Sequence, residues 1–483
     1  MLSLVLCIGV FSSFTIASSF KTEKTIRDIP PPAGYKLYQF STFIDHFSAN
    51  DKLFNMRYYV NSNYWNSTKP GPIFFGTGGD GPIEDYISVM GYVDQLAQNL
   101  QALIVYGEHR YFGGSLPFGN LSYSSSQNLK YLSPHQALAD YAYLISHLKT
   151  IYDDAPVISF GIRYSGMMSA WLRMSYDNLV EGAIASAASI MRCNGTVDPN
   201  QANEIVTNTF ALVGPECPAS IRTAFDYLSS LINNQSQYQQ LSELFETCTP
   251  LQNAADVYAL MSWIESGFIV MAVFDYPYPS AFALPIPGNI VNLACNEFAG
   301  VDLSNMWEVL EATKRSVNIY YNYTGENPCA NIFNTYANGN FGNPMGWSYL
   351  TCTSLNMPYG GSAATSMFGD QPYDQTEQNN YCLSLWNTTA NINYVAQWYG
   401  ANIDPAVVLR YRSNIVFSNG SLDPWTSGAV TNSVGNSIVA FVMDGAASGM
   451  DLMAPSAQDP QDVITARATE KALIQYWLYG QNQ

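Results

Sequence analysis

Short apolar runs alternate with amphipathic stretches over the first 190 or so residues. GPIFFGTGG (71–79) is a buried run leading into the glycine-rich segment Gly76–Gly81, and QALIVYGEH (101–109) repeats the pattern. Both read as strands buried on two faces. SPHQALADYAYLISHLKTIY (133–152) has helical spacing, with Ser133 placed to cap it and Pro134 in its first turn. VISF (157–160) and VEGAIASAA (180–188) read as strands around a helix in MMSAWLRMSY (167–176). Such alternation predicts an α/β fold with a mainly parallel sheet covered by helices.

The pattern changes after Cys193. From about 196 to 395 the chain carries helical stretches such as DVYALMSWIESGFIVMAVF (256–274) and long loops rich in Asn, Gly and Pro. The strand pattern returns in NIVFSNGSLDPW (414–425) and NSIVAFVMDG (436–445), and closes on the helix DVITARATEKALIQYWLYG (462–480). This organisation predicts one sheet, built from 20–195 and 396–483 and interrupted by a helical, cysteine-bearing insertion over 196–395. No internal repeat, coiled coil or low-complexity tract is present.

Charge and targeting narrow the setting. The net charge of −18 disfavours nucleic acid or an anionic membrane as partner and suits an acidic lumen. MLSLVLCIGVFSSFTIASS (1–19) reads as a signal peptide cut near Ser18 or Ser19, with a signal anchor as the alternative because a basic leading region is lacking. No other stretch reads as long and apolar enough to span a bilayer. Seven sequons, at Asn66, Asn120, Asn194, Asn234, Asn322, Asn387 and Asn419, fit export as a glycoprotein. Cys7 leaves with the signal, so Cys193, Cys217, Cys248, Cys295, Cys329, Cys352 and Cys382 remain. Disulfides are expected, with one thiol left over. These cysteines form no C-x-x-C pair with a nearby histidine, so neither zinc nor another cofactor is expected.

The segment VISFGIRYSGMM (157–168) sets strand, tight turn and helix in the order of a nucleophile elbow, G-x-S-x-G. Gly161 is in place, but the nucleophile position holds Arg163. In this fold the triad runs Ser, Asp, His along the chain. Asp423, in FSNGSLDPW, suits the acid. The loop after the next strand, VMDGAASGMDLMAP (442–455), has no histidine; His46, His109, His135 and His147 all precede the elbow.

The segments FIDHFSANDKLFNMRYYVN, EHRYFGGSLPFGN, YLSPHQALADYAYLI, DYPYPSAFALPIP and SNGSLDPWTSGAV occur in that order. With them the chain resembles the serine carboxypeptidase family of lysosomal Pro-X carboxypeptidase, dipeptidyl peptidase II and thymus-specific serine protease. The resemblance implies an α/β-hydrolase domain with a helical cap, and exopeptidase action at proline-containing termini. It places the family serine at Arg163, the family acid at Asp423 and the family histidine at Ser448, beside Gly449. It implies Gly79 and the N–H of Tyr164 as oxyanion donors, with Asp80 near substrate or merely turning its loop. It implies the bridges Cys217–Cys295, Cys248–Cys329 and Cys352–Cys382, and leaves Cys193 as the odd thiol because its usual partner position is Gly360.

Loss of either serine or histidine costs about a million-fold in turnover, and arginine does not lose its proton to become a nucleophile. These substitutions point to a pseudopeptidase, secreted or lysosomal, that binds a peptide-like ligand or pairs with itself or an active paralogue. The alternative is a weak or altered hydrolase. Ser165 is expected off the elbow apex and His109 in a structural role. Glu108 and Arg110 read as a buried ion pair, and the aromatics of DYPYPSAF as cap packing. Arg163 is expected to span the vacated imidazole space and pair with Asp423, directly or through one water.

Overall fold

The computed structural model describes residues 32–480, apart from 50–51, 67–70, 195–196, 281–284, 334–342 and 401–404. Residues 1–19, read above as a signal peptide, lie outside the described residues.

Eight strands form one sheet: β1 (Lys36–Phe43), β2 (Leu53–Asn61), β3 (Ile73–Thr77), β4 (Leu103–Gly107), β5 (Val157–Ile162), β6 (Gly182–Ser186), β7 (Ile415–Gly420) and β8 (Ile438–Met443). Their order is β1-β2-β4-β3-β5-β6-β7-β8. The six strands from β4 to β8 pair in parallel, and β1, β2 and β4 pair antiparallel. β3 through β7 are buried along their whole length, which is why their sequences are continuous apolar runs rather than alternations.

Between β6 and β7 the chain builds the helical cap. Its centre is the helix Ala254–Val273, opened by a capping box between Asn253 and Asp256. This 20-residue helix is apolar enough to cross a membrane by composition alone, which corrects the expectation that no such stretch follows the leader. Its apolar surface is instead mostly buried, and Trp263, Ile264 and Phe268 sit in the cap core. The structure joins Cys217 to Cys295, Cys248 to Cys329 and Cys352 to Cys382, while Cys193 stays a buried thiol.

Three local readings are corrected. Ser133 sits at the N-cap of the helix Pro134–Ile151, but its hydroxyl makes no capping bond. Glu108 and Arg110 do not pair with each other. Glu108 meets Arg57 at 3.1 Å and Arg110 meets Asp140 at 2.6 Å, because β4 ends at Gly107 and the chain turns at Arg110, so the two side chains leave in different directions. Asn419 is fully buried on β7 and its amide donates to Val430 O at 3.0 Å. No space remains there for a glycan on the folded chain, whereas Asn120, Asn234 and Asn387 are exposed.

Candidate active site

The site forms where β5, β6, β7 and β8 end. β5 runs into Arg163, whose φ of 57° and ψ of −123° turn the chain sharply into the helix Tyr164–Ser175. That conformation costs a non-glycine residue about 1–3 kcal/mol. The Arg163 N–H donates to Ser186 O at 2.9 Å, and Arg163 O accepts from Met167 N at 2.9 Å. The turn is so tight that a Cβ on Gly161 would lie 2.2 Å from Ser165 O. Ser165 is fully buried; its Oγ accepts from Ile162 N at 2.8 Å and donates to Ile162 O at 3.0 Å. It braces the elbow from inside and does not present a nucleophile.

Asp423 follows β7 and caps the short turn Pro424–Gly428, its Oδ1 accepting from Trp425 N at 3.0 Å. Its Oδ2 is buried and makes no hydrogen bond within 3.5 Å among the described residues. Burial pushes the carboxyl up to about 6; the Ser448 hydroxyl, the Trp425 N–H and the charges of Arg163 and Arg192 pull it back down. Ser448 lies in the loop after β8. Its N–H donates to Val273 O at 3.1 Å, and its carbonyl accepts from Tyr276 Oη at 2.8 Å. The end of the central cap helix therefore grips Ser448.

Arg163 Nη1 donates to Ser448 Oγ at 3.3 Å, and its guanidinium carbon lies 5.4 Å from the Phe274 ring centroid. The structure thus gathers Arg163, Ser448 and Asp423 in one place. The charge of Arg163 is felt at Asp423, where it pulls the carboxyl pKa down. The aromatic face of Phe274 flanks the cation, and the Ser448 hydroxyl lies beside both charges.

The glycine-rich loop lies on the other flank. A Cβ on Gly79 would come 2.3 Å from Tyr86 Oη and 3.3 Å from Ser165 Cβ, so this glycine packs against the first turn of the elbow helix. Asp80 Oδ1 accepts from Tyr86 Oη at 2.7 Å, and Asp80 N donates back to Tyr86 Oη at 3.0 Å. Asn343 N, at the start of a cap helix, donates to Asp80 O at 2.9 Å. His109 is fully buried, with Nε2 3.0 Å from Tyr164 Oη and Nδ1 2.7 Å from Arg110 O. Burial lowers its pKa to about 4, and both ring nitrogens are engaged.

The profile of the family described as serine carboxypeptidase S28 matches residues 42–470. The chain belongs to the S28 serine carboxypeptidases. It is 35% identical to lysosomal Pro-X carboxypeptidase of Bos taurus over 472 residues, 97% of this chain and 92% of that one. It is 24% identical to thymus-specific serine protease of Homo sapiens, over 90% of this chain and 85% of the relative. Among solved structures it is similar to proline iminopeptidase of Mycobacterium smegmatis, at 11% identity and a TM-score of 0.34, covering 91% and 99% of the two chains. S28 membership makes the sheet and cap an α/β-hydrolase fold.

Several residues of this S28 site carried no sequence signal for their place in it. Tyr86 sits in an ordinary amphipathic helix, Ile83–Val89. Tyr276 was legible as cap packing but not as a contact of Ser448, and Phe274 was legible only as part of a helical stretch and not as a contact of Arg163. Asp451 is buried under the loop, accepting from Ser186 Oγ at 2.6 Å and Ser418 Oγ at 2.7 Å, and so fastens the Ser448 loop to the ends of β6 and β7. No group of three or more potential metal-ligating side chains clusters among the described residues.

Proposed function

We propose that this S28 homologue is a catalytically inactive peptide-binding protein of the secretory pathway, secreted or lysosomal. The observation that carries this reading is the contact between Arg163 and Ser448: a guanidinium and a hydroxyl fill the space where nucleophile and base would exchange a proton. Acyl transfer by the family needs a hydroxyl at the elbow, an imidazole to take its proton and a carboxylate to orient that imidazole. Only the carboxylate, Asp423, remains. An oxyanion hole without the other groups supplies roughly 10³–10⁴ over water.

The reading of the site as a binding surface is supported by what persists around it. The elbow keeps its strained backbone, the glycine-rich loop is braced by Tyr86 and tied to the cap through Asn343, and the cap remains seated on the Ser448 loop. The disulfides support an oxidising route. The relatives named for Pro-X carboxypeptidase activity make proline-containing peptides the first ligand class to test. Pairing with a second copy or an active paralogue would use the same unreactive cleft as a decoy.

Fluorophosphonate labelling of the purified glycoprotein, with bovine lysosomal Pro-X carboxypeptidase alongside, tests inactivity. The relative is expected to label and this chain to stay unlabelled. Labelling at any serine at a comparable rate would establish an altered hydrolase instead.

A further inference from the structure

The loop that carries Ser448 is fastened from below by a buried acid. Asp451 is fully buried, and its two oxygens accept from Ser186 Oγ of β6 at 2.6 Å and Ser418 Oγ of β7 at 2.7 Å. A second acid reaches it from the C-terminal helix Gln461–Tyr479. This is Glu470, also fully buried, whose carboxyl faces that of Asp451 at hydrogen-bonding range. Neither Glu470 oxygen accepts a hydrogen bond from an N–H or O–H within 3.5 Å among the described residues. The Ser418 hydroxyl is felt at Glu470, but its one proton is given to Asp451.

The neighbouring cation is spent elsewhere. Arg467, one turn earlier on the helix, donates from Nη1 to Asp459 Oδ2 at 2.6 Å. Its Nε donates to Asp451 O at 2.8 Å, and its Nη2 to the carbonyls of Met450 at 2.6 Å and Met453 at 3.1 Å. Asp459 therefore balances its charge, and its other N–H groups hold the backbone of the same loop. From the helix Gly91–Leu100, Tyr92 donates its hydroxyl to Arg467 O at 2.7 Å, and burial keeps it a neutral phenol. Two carboxyl groups without a cation of their own do not both ionise in a buried site; one keeps its proton and donates it to the other. Burial raises Glu470 most, the charge of Asp451 raises it further, and Arg467 opposes both.

We propose that Glu470 and Asp451 share one proton and form a pH-sensitive clasp on the Ser448 loop, closed in acid and released as the pH rises. In the closed state the Glu470 O–H donates to the Asp451 carboxylate and ties the loop to the C-terminal helix. Once that proton passes to solvent, two negative charges face each other in a buried site and drive the loop from the helix. Glu470 is an acid raised in the fold, so the clasp is complete below the ordinary carboxylate range of ~4 and is lost as the pH climbs through the folded value. The release is passed on to the site. Ser186, which holds Asp451 through its hydroxyl, accepts the elbow N–H of Arg163 through its carbonyl at 2.9 Å, and Ser448 is bound to Val273 and Tyr276 of the cap. The clasp stands independently of the peptide-binding reading.

Amide hydrogen exchange of residues 446–453, read by mass spectrometry on the full glycoprotein from about pH 5 to about pH 9 and corrected for the intrinsic rate at each pH, tests the clasp. Protection in the native protein is expected to be flat in acid and then to fall by up to about tenfold per pH unit once Glu470 ionises. Glu470→Gln keeps an N–H donor for Asp451 at every pH and should flatten the profile. Asp451→Asn offers an ionised Glu470 a donor and should flatten it too. Asp423, which also touches Ser448, is untouched in both variants. A native profile flat to pH 9 would overturn the clasp, as would a fall that persists unchanged in a folded variant. If neither variant folds, the native profile decides alone.

Discussion

Arg163 accepts a backbone conformation that costs about 1–3 kcal/mol and recovers part of it from the Phe274 face and the Ser448 hydroxyl. Arg163→Ser is therefore expected to lower stability by about 1–2 kcal/mol, the sum of a cation–π contact and a charged hydrogen bond. It should bring no turnover, because no imidazole returns with it; denaturant melts and a peptide-release assay check the two halves. Ser165→Ala leaves the buried Ile162 N–H without its acceptor and should cost about 1–3 kcal/mol, with peptide binding reduced only as the elbow loosens. At this scale the strand–turn–helix punctuation located the turn at Arg163, and the strand pattern located Asp423 after β7. The Phe274 contact of Arg163 was not legible. Reach along a side chain says which partners are available, and only the packed cap shows that an aromatic face is among them. The same holds for Glu108, whose partner Arg57 comes from a strand far away in sequence.

At the level of elements, the elbow depends on glycine at Gly161 and at Gly166, where a Cβ would lie 2.5 Å from Ser186 O. Gly161→Ala would drive a Cβ to within 2.2 Å of the Ser165 carbonyl; since backbone cannot yield cheaply there, the variant is expected to lose about 3 kcal/mol or more and to express poorly. Pulse-chase secretion with and without the substitution reads this out. The cap is held by bridges that close long loops. Replacing Cys248 and Cys329 by serine removes a link across 81 residues and should destabilise the cap by about 2–4 kcal/mol, seen as an early cap transition in a calorimetric scan. The parallel strands were readable because burial on both faces makes them unbroken apolar runs. β1 and β2 were not read as strands: β1 is exposed along most of its length, so its residues carry no strong burial pattern. The elbow helix begins three residues before the apolar spacing suggests, at Tyr164 rather than Met167, because the turn geometry, and not periodicity, sets its first residue.

Across the whole molecule, buried ionisable groups favour an acidic setting. Burial raises Glu108 and Glu265 to about 7, and Asp275 and Asp423 to about 6. An acid raised in the fold holds its proton where the unfolded chain has released it. Its stability contribution is full below the ordinary carboxylate range of ~4 and is lost as pH rises through the folded values. Burial lowers His109 and His135 to about 4, and these two oppose the trend by costing stability as pH falls below ~6.5. The four raised acids outweigh them, so the melting temperature is expected to be higher at pH 5 than at pH 7.5. At Asp140 the Arg110 guanidinium overcomes burial and holds the carboxyl below its usual range, so the trend should reverse below about pH 4 as Asp140 gains its proton. Melts across this range check both signs.

The central claim is that the fold retains an S28 site whose chemistry is missing at two residues only. The most direct measurement is the rate at which a peptide cleaved by bovine lysosomal Pro-X carboxypeptidase is hydrolysed by the native chain and by Arg163→Ser combined with Ser448→His. Elbow, oxyanion donors and Asp423 are already in place, and the double change removes the guanidinium from the space an imidazole must enter. The account predicts no release above background from the native chain and measurable release from the double variant. Native turnover within about a hundredfold of the bovine enzyme would contradict it, since losing either group alone costs far more than that.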